Sequence, residues 1–144
     1  MKNLLLLLVF MLPAFALHAQ ETAKPEVDKT KYKIVFQLVS EDTLAHKGLV
    51  RQITNTLNAA PNSKIEVVCH GPGINLLVEG KTTQAKKIKE LTEQGVLFVA
   101  CENTLKERKV EKSQILKVAG FVPAGIVEIV KKQNKGWAYI KAGF

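Results

Sequence analysis

Cysteine is scarce in this chain: Cys69 and Cys101 are the two in 144 residues. Two thiols cannot build a disulfide framework, so a hydrophobic core has to stabilise the fold. There is no C-x-x-C pair, no Cys/His spacing that fits zinc and no G-x-G-x-x-G run, which removes the usual sequence signals for dithiol redox, metal and dinucleotide chemistry. No cofactor and no metal are expected. Aromatic residues are few, 6% of the chain, and do not interleave with the basic ones. Nucleic acid is therefore not an expected partner. After the first segment no second long apolar run occurs, so no membrane association is expected once that segment is removed. There is no internal repeat and no low-complexity tract.

The first segment, residues 1–20, has the layout of a secretory signal peptide. Lys2 supplies the positive start, Leu4 to Phe10 is an unbroken apolar stretch, and Ala14, Ala16 and Ala19 are small residues suited to a peptidase cut. The stretch is short for a membrane span and Pro13 interrupts it. Cleavage near Ala19 and export, to the periplasm, are expected. No cysteine follows the apolar stretch, so no lipoprotein anchor is expected there.

Basic residues outnumber acidic ones, 21 to 13, for a net charge of +8. Loss of residues 1–20, whose only charge is Lys2, leaves +7. The lysines are dispersed, as at Lys86-Lys87 and Lys131-Lys132, and read as solvated helix faces rather than as one basic groove. The mature length has room for one domain, over 31–144, behind a polar, flexible lead-in over 21–30.

Strand and helix signals alternate along that domain. Tyr32 to Val39 reads as a buried strand, and Ser40-Glu41-Asp42-Thr43 offers several helix caps. Val50, Ile53, Leu57 and Ala60 then mark one face of a helix. Ile65 to Cys69 is the second strand. His70-Gly71-Pro72-Gly73 reads as a tight loop, followed by a short apolar segment over Ile74 to Val78. A helix with Ala85, Ile88 and Leu91 inside ends at Gly95. Val96 to Ala100 is the third strand, Asn103 to about Arg108 a short helix, and Ser113 to Leu116 another brief turn. A fourth strand is expected over Val118 to Val122. The last helix opens at Pro123-Ala124-Gly125 with a buried stripe of Ile126, Val127, Ile129 and Val130, and Trp137 to Ile140 is a fifth strand. This rhythm predicts an α/β fold with a parallel sheet covered on both faces.

In such a sheet the loops after the strands gather along one edge, where ligands bind. Cys101 arrives there between a buried strand and a helix start, where backbone N–H groups favour a thiolate; Glu102 opposes this unless its side chain turns away. The bland alternative is a small core residue. His70, after the second strand, either approaches Cys101 and exchanges protons with it or is a loop histidine bonded to backbone. Cys69 either points into the core or, with strands about 4.8 Å apart, faces Cys101 within disulfide reach. Gly71 and Gly73 signal a close backbone approach, to an anion in one reading. His46, on the first helix, has no visible partner and is expected at the surface.

Four stretches in order carry a resemblance. Val67-Val68-Cys69-His70-Gly71-Pro72-Gly73, Phe98-Val99-Ala100-Cys101-Glu102-Asn103-Thr104-Leu105, Val122-Pro123-Ala124-Gly125-Ile126-Val127-Glu128-Ile129 and Gly136-Trp137-Ala138-Tyr139-Ile140-Lys141 resemble the DsrE/DsrF-like family, over about Tyr32 to Lys141. The resemblance implies a three-layer α/β/α domain with a five-stranded parallel sheet, and homo-oligomers, trimers or hexamers. It also implies a sulfur-relay role in which one cysteine, here Cys101, carries sulfane sulfur as a persulfide. A sulfur donor or acceptor protein would be its partner.

The leading expectation is a sulfur-carrier or sulfurtransferase-like protein using Cys101 and His70, whether or not it turns over as an enzyme. Two others stand beside it. One is a non-catalytic oligomeric module holding a small anion among Gly71, Gly73, Asn103 and Thr104. The other is a thiol redox protein using Cys69 and Cys101.

Overall fold

The computed structural model describes residues 26–143. The expected signal segment and the start of the lead-in lie outside the described residues. At the described end of the lead-in, Asp28 donates its N–H to Ala59 O at 2.8 Å.

Five strands form one parallel sheet in the order β4-β3-β2-β1-β5. They are β1 (Lys33–Leu38), β2 (Lys64–Cys69), β3 (Leu97–Cys101), β4 (Gly120–Val122) and β5 (Ala138–Ala142). The helices are α1 (Thr43–Ala59), α2 (Ala85–Glu93), α3 (Glu102–Arg108) and α4 (Gly125–Asn134). The fold is thus α/β with flanking helices, as expected. Of the caps on offer before α1, Asp42 is the one used: its Oδ1 accepts from Leu44 N at 2.8 Å, replacing a bond the first turn lacks.

Strand alternation divides the core. Phe36 and Leu38 of β1, Val67 and Cys69 of β2, and Phe98 and Ala100 of β3 face one side. They form the main core with Leu49, Ile53 and Leu57 of α1 and Ile88 and Leu91 of α2. Each large side chain buried there contributes roughly 1.5–3 kcal/mol. Val35, Val68 and Val99 face the other side and meet α4 through Ile129.

Three expectations need correction. The buried stripe of α4 is a single residue: Ile129 is buried, while Ile126, Val127 and Val130 are 55%, 51% and 48% exposed. One helix covers this face, so side chains on its flanks meet no second helix. His46 is not at the surface but 2% exposed, and its imidazole Nε2 bonds Ser40 O at 2.8 Å. That carbonyl supplies the partner a buried imidazole needs. The tight loop after β2 is helical: Gly71–Leu76 forms a 3₁₀ turn, in which Pro72 sits early enough to lose no bond. Ile74, Leu76, Leu77 and Val78 lie in the main core, so the segment is spent on core packing.

Candidate functional site

Cys101 is the last residue of β3 and the N-cap of α3. It pairs in register with Val122, just before the loop that opens α4. Two helix starts therefore converge on its sulfur. α4 begins behind Ala124, whose side chain cannot cap it. The missing acceptor is Cys101: Gly125 donates its N–H to Sγ at 3.2 Å. On the α3 side, the hydroxyl and N–H of Thr104 and the N–H of Asn103 act to lower the thiol pKa, while the hydrogen bond that the Asn103 N–H makes is to Pro123 O at 3.3 Å. Burial pushes the thiol pKa up, but these hydrogen bonds outweigh it, and the pKa lies below the ordinary value for cysteine. Donors aimed at a sulfur favour its anion.

Thr104 has a second task. Its Oγ1 accepts from Gly71 N at 3.0 Å, which ties the β2 loop to α3 and leaves the hydroxyl proton for the sulfur. Glu102 does not oppose the thiolate closely. Its carboxylate pairs with Lys112, and that ammonium holds its pKa below the usual range.

The glycines of the β2 loop are spent internally. Gly73 N donates to His70 O at 3.1 Å. A Cβ on Gly73 would stand 2.2 Å from Leu38 O. The close backbone approach is thus made by the chain's own β1 end.

His70 reaches the site, yet the sulfur accepts its hydrogen bond from the Gly125 N–H. The imidazole Nε2 accepts from Gln37 Nε2 at 2.7 Å, and Gln37 Oε1 accepts from the Tyr139 hydroxyl. Burial holds the His70 pKa below its ordinary value. His70 packs on Gly125: a Cβ there would lie 3.1 Å from His70 Cβ, 3.3 Å from its Cδ2 and 3.2 Å from Val68 Cγ1. A side chain at this position would crowd both neighbours, and glycine leaves room for its N–H to meet the sulfur. Sequence reasoning singled out neither this N–H nor Gln37. The signal for Gln37 was present, as a lone amide inside the apolar run Ile34-Val35-Phe36-Gln37-Leu38.

Cys69 is buried and free. It pairs in register with Ala100, so alternation turns it to the α1 side and Cys101 to the α4 side. A direct bond between the two is not compatible with this register, and burial drives the Cys69 pKa strongly upward. Of its two open readings, the core one describes its position. Among the described residues, no group of three or more His, Cys, Asp or Glu is placed to hold a metal ion.

Beside Cys101, an open depression of about 850 Å³ lies between α3 and the segment after it, lined by Glu102, Leu105, Lys106, Lys109 and Lys112 among others. Cys101 itself does not line it. Cys101 is 5% exposed.

Comparison with known proteins places this arrangement. The model of the DsrE/DsrF-like family, which is linked to sulfur relay, matches residues 33–142. A solved protein of unknown function, MTH1491 from Methanobacterium thermoautotrophicum, is similar at 32% identity and TM-score 0.74, covering 77% of this chain and 99% of its own. A second protein of unknown function, BT1422 from Bacteroides thetaiotaomicron, shares the fold at 16% identity and TM-score 0.60, covering 76% of this chain and 93% of its own. No curated protein matches the chain significantly. With the family matched across nearly all the described residues, and a solved relative alike in both sequence and shape, the chain belongs to the DsrE/DsrF-like family.

Proposed function

We propose that Cys101 is a sulfur-carrying thiol, loaded as a persulfide and unloaded to a second thiol. The observation that carries this reading is the Gly125 N–H at the start of α4 donating to Sγ, with Thr104 of α3 also acting to lower the thiol pKa. A thiol whose pKa is lowered in favour of the thiolate is what sulfane-sulfur transfer requires of a protein. The Cys101 thiolate attacks the outer sulfur of a donor R–S–SH. A bond forms between Sγ and that sulfur, the donor's S–S bond breaks, and its electron pair leaves on R–S⁻. No external oxidant or reductant is consumed. The transferred sulfur keeps its proton, so the product is Cys101 Sγ–SH and the negative charge leaves with R–S⁻.

Lys106 and Lys109 line the neighbouring depression beside the Lys112–Glu102 pair and Glu111, and give an anionic donor a basic contact there. Export, an assembly of three or six copies and a protein donor or acceptor belong to this proposal; they rest on the layout of residues 1–20 and on the family resemblance. The test is loading with inorganic polysulfide. The parent chain is expected to gain sulfur on Cys101 and lose it to reductant, and Cys101→Ser to gain none while remaining folded. Sulfur uptake that survives Cys101→Ser would contradict the proposal.

A further inference from the structure

Gln37 is the one amide in the interior of β1, and a half-buried amide needs partners at both ends. It has them in Tyr139 and His70. Tyr139 stands on β5 opposite Val35, two residues before Gln37 and on the same face of the sheet. An amide nitrogen can only donate, so the His70 Nε2 that meets it must accept. The ring is then neutral, with its proton on Nδ1. The low pKa that burial imposes on His70 points the same way. Held there, the ring sets its Cδ2, with the His70 Cβ behind it, against Gly125, and Gly125 presents its N–H to the sulfur. A continuous line of contacts thus runs from the sheet's β5 edge to the thiol.

We infer that Gln37 and Tyr139 are positioning residues for Cys101: they fix the His70 ring, and the ring holds the first N–H of α4 on Sγ. The inference rests on the reading of Cys101 as the working thiol. Neither residue touches the sulfur or a substrate. Titratable groups around the thiol do not supply the same control. Glu102 is engaged by Lys112, and on α4 Lys132 is engaged by Glu66 and Glu128.

The test is the rate of Cys101 alkylation by iodoacetamide as a function of pH, on the full chain, with the modified cysteine assigned by peptide mass. Gln37→Leu is expected to move the midpoint upward and slow alkylation at neutral pH by about threefold to tenfold, the effect of half to one pKa unit. Tyr139→Phe, at a 40% exposed position, should shift the midpoint in the same direction by less, and guards against a Gln37→Leu chain that does not fold. Nitrogen-15 NMR of the parent should find the His70 proton on Nδ1, and Gln37→Glu should move it to Nε2. Profiles of Gln37→Leu and Tyr139→Phe that superimpose on the parent's, or a parent ring protonated at Nε2, would overturn the inference. Sulfur loading of the same samples is scored separately: a Cys101 that titrates as described yet takes no sulfur counts against the carrier proposal and not against the positioning line.

Discussion

Gly125 and Cys101 complete one another: the first N–H of α4 has no side-chain cap, and the sulfur that ends β3 accepts it at 3.2 Å. Helix capping and thiol activation are here the same bond. A capping interaction contributes about 1 kcal/mol, and when the acceptor is an anion, part of that energy appears as a lowered pKa.

Gly125→Ala tests the bond from the donor side. The new methyl would stand 3.1 Å from His70 Cβ and 3.2 Å from Val68 Cγ1, so the start of α4 has to move outward. Loss of roughly 1–3 kcal/mol in urea unfolding is expected from overpacking, with an upward shift of the Cys101 pKa measured by alkylation. A destabilised chain with an unmoved thiol pKa would separate the helix start from thiol control.

The two cysteines should differ sharply. Cys101 has its pKa lowered by hydrogen bonds, and Cys69 has its pKa raised by burial. Alkylation of the folded chain at neutral pH should modify Cys101 first, with Cys69 reacting only after denaturation. Equal rates in the folded state would contradict the assignment of faces.

Ionisation of Cys101 should also appear in stability. Its pKa in the folded chain lies below that in the unfolded one, so the thiolate's contribution is complete above the unfolded value, near 9.0, and fades as pH falls through the folded value. Cys101→Ser should remove that slope from a plot of unfolding free energy against pH. An unchanged slope would place its origin elsewhere.

His70 acts in a lower window. Burial depresses its pKa, so the unfolded chain takes up the proton first as pH falls below about 6.5. Stability should therefore decline from there down to the folded-state pKa. His70→Gln, which cannot titrate, should flatten that decline, as measured by thermal melts across the acidic range.

Much of the site could be read from residue order because strand chemistry is local. An apolar run that stops at Cys101 and gives way to Glu102-Asn103-Thr104 marks a strand end meeting a helix start. The core position of Cys69 was one of two open readings, and register decides its face. Other features depended on distant packing. The stripe on α4 had the period of a buried helix, but a lone helix over the sheet's second face buries Ile129 and leaves Ile126, Val127 and Val130 exposed. His46 looked unpartnered because its partner, Ser40 O, is a backbone atom placed by the turn before α1. Of the two glycines after β2, Gly73 does mark a close approach, to Leu38 O, while Gly71 has open space beside it and a φ of 51° instead.

The central claim is that Cys101 carries sulfur, and intact mass after polysulfide treatment tests it most directly. The chain, purified without reductant, should gain one or more sulfur atoms, mapped to Cys101 and removed by reductant. An unmodified Cys101 in a folded chain, or sulfur found on Cys69 instead, would contradict it.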